Sequence, residues 1–225
     1  MDKTLTLKQI VLLMVVYFGG YLFVFQGLIL GMVSDNNYMI VNIIGSLLCM
    51  ILMILISFKY LNQQFQIFKQ KKGQSIGLAF ITIVYLYVAA MIFNLLVVVK
   101  MNLGQADNQI NNELFMKFDM IGFMLNSLIV APFMEEMIFR GCIFHKVWKK
   151  INAPCGFIAS GLVFGFMHIV ASLISGSWNN VIYILLYGSC GALLCYPFYK
   201  SENIYASMIC HMTYNLLGVL ALIGM

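Results

Sequence analysis

Charge is what this chain has least of. Only 9% of its 225 residues are Asp, Glu, Lys or Arg, while 62% are hydrophobic. A soluble domain carries roughly 25% charged and 45–50% apolar residues. One core cannot hide so much apolar surface, which excludes an ordinary soluble globule, and the same composition excludes intrinsic disorder. No Cys-x-x-Cys pair occurs among Cys49, Cys142, Cys155, Cys190, Cys195 and Cys210, most of which lie inside apolar runs. A thiolate metal site or redox pair is therefore not expected, and the thiols read as packed or lipid-facing. No A-x-A cleavage site follows the first apolar run, Ile10 to Val33. That run is far longer than the roughly 7–15-residue core of a signal peptide and reads as a retained span. There is no internal repeat and no soluble domain.

What the chain does have is long charge-free stretches and a mean hydropathy of +0.93. Ile10–Val33, Met39–Phe58 and Ile76–Val99 are three clear spans, and a fourth begins near Met120 and runs into Glu135 and Glu136. Ile151 to Tyr199 holds no Asp, Glu, Lys or Arg and is divided by the polar tract Ser175–Asn180. A last span starts near Asn203. At about 20 residues per crossing, the expectation is an all-α, polytopic transmembrane bundle of seven spans. Residues 1–119 form a three-span region with an inner-surface segment at Leu61–Ser75 and an outer loop at Met101–Asp119. Residues 120–225 form a four-span core that carries the chemistry.

With the N-terminus inside, eleven of the thirteen cations fall on the inner side: Lys3, Lys8, Lys59, Lys69, Lys71, Lys72, Arg140, Lys146, Lys149, Lys150 and Lys200. Only Lys100 and Lys117 fall outside. This asymmetry predicts an N-in/C-out orientation. It makes the net charge of +5 a topology signal and an attraction to anionic lipid heads, not a nucleic-acid footprint. Two small-residue pairs, Gly27/Gly31 and Gly161/Gly165, permit close helix contact, a pattern common by chance in apolar helices.

The informative residues are those a membrane should forbid. Glu135, Glu136 and Arg140 sit on or just beyond an apolar run. Each ionised group at a helix centre costs roughly 2.5–3.5 kcal/mol, so three would cost on the order of 7–10 kcal/mol unless paired, protonated or wetted. Glu136 and Arg140 stand in the favourable i,i+4 order; Glu135 is one residue off that face. An interfacial salt-bridge cluster is the plain structural reading. The histidines weigh against it. His145 lies in the basic tail HKVWKK and reads as interfacial, but His168 and His211 lie inside apolar spans. If the fourth and fifth helices turn at Ile151–Pro154, with Asn152 as cap and Pro154 in the first turn, then Glu135 and His168 are equidistant from the bend and face each other. His211 lies about 13 Å inward of the turn at Lys200–Glu202, and Ser207, His211 and Asn215 form a polar stripe. Pro132 removes a backbone hydrogen bond close to the carboxylates and would kink the helix there.

Two carboxylates, two imidazoles and an amide, with no evident serine or cysteine nucleophile, favour hydrolysis by activated water. Glu135, with His168 opposite, would deprotonate the water, since a carboxylate held out of bulk solvent is the stronger base. His211 and Asn215 would donate to the developing oxyanion. Glu136, tied to Arg140, would orient the helix and balance charge. The competing mechanism is zinc held by His168, His211 and Glu135. The H-E-x-x-H signature is absent, so metal-free activation, with no cofactor, is the favoured reading.

These residues resemble a known family. EEMIFR (Glu135–Arg140) looks like the E-E-x-x-x-R motif of the CAAX protease and bacteriocin-processing family, also called Abi. FGFMH (Phe164–His168) is similar to its F-x-x-x-H motif, and HMTYN (His211–Asn215) resembles its H-x-x-x-N motif. The resemblance covers about the last hundred residues; the first three spans carry no motif. It implies an intramembrane endopeptidase whose cavity opens toward the cytosol, with Glu135 and His168 activating water and His211 and Asn215 at the oxyanion. It also implies a membrane-associated peptide or protein as substrate, and a place in the cell membrane of a bacterium, in peptide maturation, bacteriocin immunity or quorum-signal processing. The family has been described both as metal-dependent and as metal-free. Two other readings keep the same residues: a non-catalytic immunity or scaffold protein of the same fold, and a proton-coupled transporter. Transporters often show two related halves, and none is visible here.

Overall fold

The computed structural model describes residues 4–224, apart from the side chains of Asp35 and Asn36; Lys3 lies outside the described residues. The described residues hold no strand. Seven helices are long and apolar enough to cross a membrane: α1 (Leu7–Met32), α2 (Asp35–Gln70), α3 (Lys72–Val99), α5 (Met120–Lys150), α6 (Ala153–Ile174), α7 (Trp178–Ser201) and α8 (Ile204–Ile223). The twelve-residue α4 (Asp107–Phe118) lies in the loop between α3 and α5.

Lipid offers no partner to a free backbone group, and the helix ends show how this is met. The Thr6 hydroxyl accepts from Gln9 N while Gln9 Oε1 accepts from Thr6 N, a reciprocal cap on α1. Gln9 Nε2 then donates to Ile56 O at 2.9 Å, pinning α1 to α2. Asp119 caps α5 through Gly122 N. Asn152 caps α6 through Cys155 N, with Pro154 in the first turn as the sequence predicts. Asn203 caps α8 through Tyr205 N.

The polar run after Leu61 differs from its expected place as a separate surface segment. Through Gln70 it continues α2, making one helix of 36 residues. Such a helix is about 54 Å long, well beyond a hydrocarbon core of about 30 Å, so its polar end projects past the apolar slab. That end grips the start of α8, where Gln64, buried, accepts from Ile204 N at 2.9 Å; just past it, Lys71 Nζ donates to Ser201 O at the end of α7 at 3.3 Å.

The span carrying the carboxylates is the most enclosed. Half of the apolar window of α5 is buried, against 17–44% for the others, so α5 is the axis around which α1, α2, α6 and α8 pack. The outward faces present Phe23, Leu55, Phe58 and Ile174, a belt suited to lipid. Of the two small-residue pairs, one makes a helix crossing. A Cβ on Gly161 would lie 2.6 Å from Gly188 O, and one on Gly165 would lie 2.7 Å from Gly188 N, so α6 and α7 meet backbone to backbone. A Cβ on Gly31 would meet nothing, and one on Gly27 only its own helix.

Candidate active site

Helix α5 changes its winding twice around the carboxylates. Asn126–Val130 and Glu136–Phe144 form wider i+5 turns on either side of an ordinary stretch, Ala131–Glu135. Such widened turns are frequent at functional sites. The cause here is legible. Ala131 N–H bonds the Asn126 carbonyl, and residue 132 is a proline with no N–H to offer. The Ser127 carbonyl is thereby left without a backbone donor. The Asn215 side chain fills the gap: its Nδ2 donates to Ser127 O at 2.8 Å.

Glu136 is fully buried and is the hub of the site. Its Oε1 pairs with Arg140 Nη1 at 2.9 Å and accepts from His211 Nδ1 at 2.8 Å. The Ser207 hydroxyl donates to its Oε2 at 2.5 Å and lies as close to the carbonyl of Leu194. Arg140 is also fully buried. Its Nη2 donates to Gly191 O at 3.0 Å, and its guanidinium lies 4.9 Å from the Phe164 ring centroid, within cation–π range. Four elements are thus locked to one ion pair: α5 itself, α6 and α7 through Phe164 and Gly191 on Arg140, and α8 through Ser207 and His211 on Glu136.

Glu135 stands apart. Its side chain is 16% exposed, and its Oε2 lies 3.9 Å from His211 Nε2. His211 therefore sits between the two carboxylates, Nδ1 on Glu136 and Nε2 toward Glu135. His168 Nδ1 bonds Phe164 O at 2.9 Å. With Nδ1–H donating to that carbonyl, Nε2 is the free, basic nitrogen. The imidazole lies between the rings of Phe164 (4.3 Å) and Tyr187 (4.8 Å, stacked), within electrostatic reach of Glu135, His211 and Arg140.

The structure thus gathers Glu135, Glu136, Arg140 and His211 into one contact set. His168 lies across the Phe164 ring, which is 6.0 Å from the His211 ring, and Asn215 is one helical turn beyond His211. His145 packs its ring against Trp148 and Phe198. No three His, Cys, Asp or Glu side chains among the described residues are arranged to hold a metal ion.

Several participants went unassigned in the sequence. Phe164 touches Arg140, His168, His211 and Phe139, and Gly191 admits it, since a Cβ there would lie 2.7 Å from Phe164 Cβ. Tyr17 and Tyr21 of α1 are buried within electrostatic reach of Glu135. Their signal is the spacing Tyr17, Tyr21, Phe25 on one face of an apolar helix, with hydroxyls where lipid has nothing to bond.

Residues 117–217 match the family model described as "Type II CAAX prenyl endopeptidase Rce1-like". An "Uncharacterized protein" of Mycoplasma capricolum subsp. capricolum (strain California kid) is 27% identical over 215 residues, 87% of this chain and 61% of that one. The "Putative membrane peptidase YdiL" of Bacillus subtilis (strain 168) is 27% identical over 89 residues, 40% of this chain and 32% of its own. The "UPF0177 protein YvdC" of Lactococcus lactis subsp. lactis (strain IL1403) is 31% identical over 104 residues, 46% and 36% of the two chains. The chain thus spans between a third and three fifths of the length of these curated relatives. No solved structure matches it. Its seven apolar helices make it an integral membrane protein. Residues 117–217, which contain all six candidate residues, are thus similar to the Rce1-like type II CAAX prenyl endopeptidase family.

Proposed function

We propose that this protein is an intramembrane endopeptidase that hydrolyses peptide bonds of membrane-associated peptides or proteins with water activated by Glu135 and His168. The observation that carries the reading is the unequal treatment of the two adjacent carboxylates. Glu136 is sealed by three partners, which is what a structural anchor requires. Glu135 keeps partial exposure and one loose neighbour at 3.9 Å, which is what a base that must meet water requires.

The chemistry follows from the hydrogen-bond polarity. Glu135 takes a proton from water, with His168 Nε2 as the second acceptor. The hydroxide attacks the carbonyl carbon of the scissile amide, and its oxygen becomes an oxyanion. His211, its Nδ1–H fixed on Glu136, presents Nε2–H when protonated. Asn215 has one amide proton on Ser127 and one left to donate. Together they form a preorganised two-donor site, the arrangement that usually contributes most to acyl-transfer catalysis. The proton held on Glu135 then passes to the leaving amine. Two carboxylates, one guanidinium and one imidazolium sum to zero, which limits the cost of burying them. The cavity faces the cytosol in an N-in, C-out orientation, in a bacterial cell membrane, and the reaction uses no metal.

Peptide profiling by mass spectrometry tests this. Membranes bearing the wild-type protein release peptides that are missing when Glu135→Gln is expressed at equal level. Identical profiles would remove Glu135 as the base.

A further inference from the structure

The motif-free first helix reaches the proposed oxyanion donor through two hydrogen bonds to neighbouring residues, Asn126 and Ser127. Tyr21 is buried in α1, its ring stacked between Tyr17 (6.2 Å) and Phe25 (6.3 Å). Its hydroxyl donates to Asn126 Oδ1 at 2.8 Å. The Ser46 hydroxyl of α2 adjoins the same phenol and donates to Asn42 Oδ1 at 3.4 Å; Asn42 and Ser46 are both buried. So α1 holds the side chain of Asn126, with the buried polar pair of α2 beside the phenol.

Asn126 supplies the acceptor of the wide turn. Its carbonyl takes Ala131 N–H in an i+5 bond. In an ordinary α turn the same N–H would go to the Ser127 carbonyl. That carbonyl is the acceptor on which Asn215 hangs. The two uses compete: if the turn relaxes to α, Ala131 N–H takes Ser127 O and the Asn215 amide loses its anchor. We propose that Tyr21 is a positioning residue, holding Asn126 so that the Ser127 carbonyl stays open for Asn215. The inference rests on the reading of Asn215 as an oxyanion donor only for its effect on rate.

The test uses the full chain in detergent micelles with ¹⁵N-labelled asparagine, the Asn215 side-chain resonance being identified by its loss in Asn215→Ala. Tyr21→Phe keeps the stacked ring and removes only the hydroxyl. It is expected to move the Asn215 amide resonance. It is also expected to slow release of the Glu135-dependent peptides roughly 3- to 10-fold, the value of one hydrogen bond, with no further slowing in an Asn215→Ala background. An unmoved resonance overturns the inference whatever the rate does. Slowing that adds in full to that of Asn215→Ala also overturns it, because Tyr21 would then act on another group. A moved resonance with wild-type rates in both Tyr21→Phe and Asn215→Ala upholds the positioning role and removes Asn215 from the reaction.

Discussion

Glu135→Gln and Glu136→Gln are the same chemical change one residue apart, and the structure assigns them opposite consequences. Glu136 is ion-paired with Arg140 at 2.9 Å and accepts from His211 at 2.8 Å and Ser207 at 2.5 Å, with no solvent exposure. A glutamine has one acceptor oxygen and two N–H groups. It cannot accept on both terminal atoms as the carboxylate does, so its amide nitrogen would face either His211 or Ser207. It also leaves the Arg140 charge buried without its counter-ion. Breaking a buried pair from one side costs about 3–5 kcal/mol, a large share of the stability of any domain. Glu135, 16% exposed with one contact at 3.9 Å, has no such partners to lose, and its amide variant should stay within about 0.5 kcal/mol of wild type. Thermal unfolding in detergent should therefore show a fall of several degrees for Glu136→Gln and none for Glu135→Gln, while peptide release stops in Glu135→Gln. Arg140→Met should cost a similar amount on its own, and the double variant Glu136→Gln/Arg140→Met should cost less than the sum. Equal stability of the two glutamine variants, or full additivity with Arg140→Met, would refute the assignment of Glu136 as the buried anchor.

Peptide release should survive strong chelation in purified protein; activity lost to chelator and restored by zinc would return the reaction to His168, His211 and Glu135 as ligands. Gly165→Ala places a Cβ 2.7 Å from Gly188 N and should destabilise by about 1–3 kcal/mol, while Gly31→Ala, with nothing near, should not; equal melting temperatures would contradict the α6–α7 contact. A membrane-impermeant thiol reagent applied to intact cells should label a cysteine placed at Lys117 and spare one placed at Lys149; the reverse pattern would invert the proposed orientation.

The spans were legible because hydropathy and charge act locally. A run such as Ile76–Val99 announces itself, and Pro154 behind Asn152 marks a helix start. The ion pair Glu136–Arg140 was legible for the same reason, being an i,i+4 contact within one helix. What the sequence hid is what depends on distant elements. Nothing near Glu136 tells that Ser207 and His211, more than seventy residues on, share its oxygens. Tyr17 and Tyr21 read as packing aromatics, since a tyrosine on an apolar helix shows its purpose only when its hydroxyl meets a partner from another span. The polar end of α2 read as a surface segment because polarity suits a membrane face equally well. Its actual use, Gln64 on the open end of α8, is a tertiary event. Gly161/Gly165 and Gly27/Gly31 were indistinguishable as patterns; only the first pair has a glycine, Gly188, opposite it.

The division of labour between the two halves follows from the same argument. Helices α5 to α8 hold every motif residue, yet the widened turn that frees the Ser127 carbonyl is gripped from outside them, by Tyr21 of α1. The start of α8 is likewise closed by Gln64 from the projecting end of α2. A bundle in lipid has little hydrophobic drive to pull its helices together, so specific polar contacts and close packing must set their positions. The first two helices therefore act as a clamp on both ends of the core: one contact fixes the end of α8 before His211, the other fixes the turn on which Asn215 rests. A core of residues 120–225 expressed alone should keep its helices yet lose both constraints, and it should regain peptide release only when residues 1–119 are supplied as a separate chain. Full release by the core alone would show that the first helices serve only to fill the membrane.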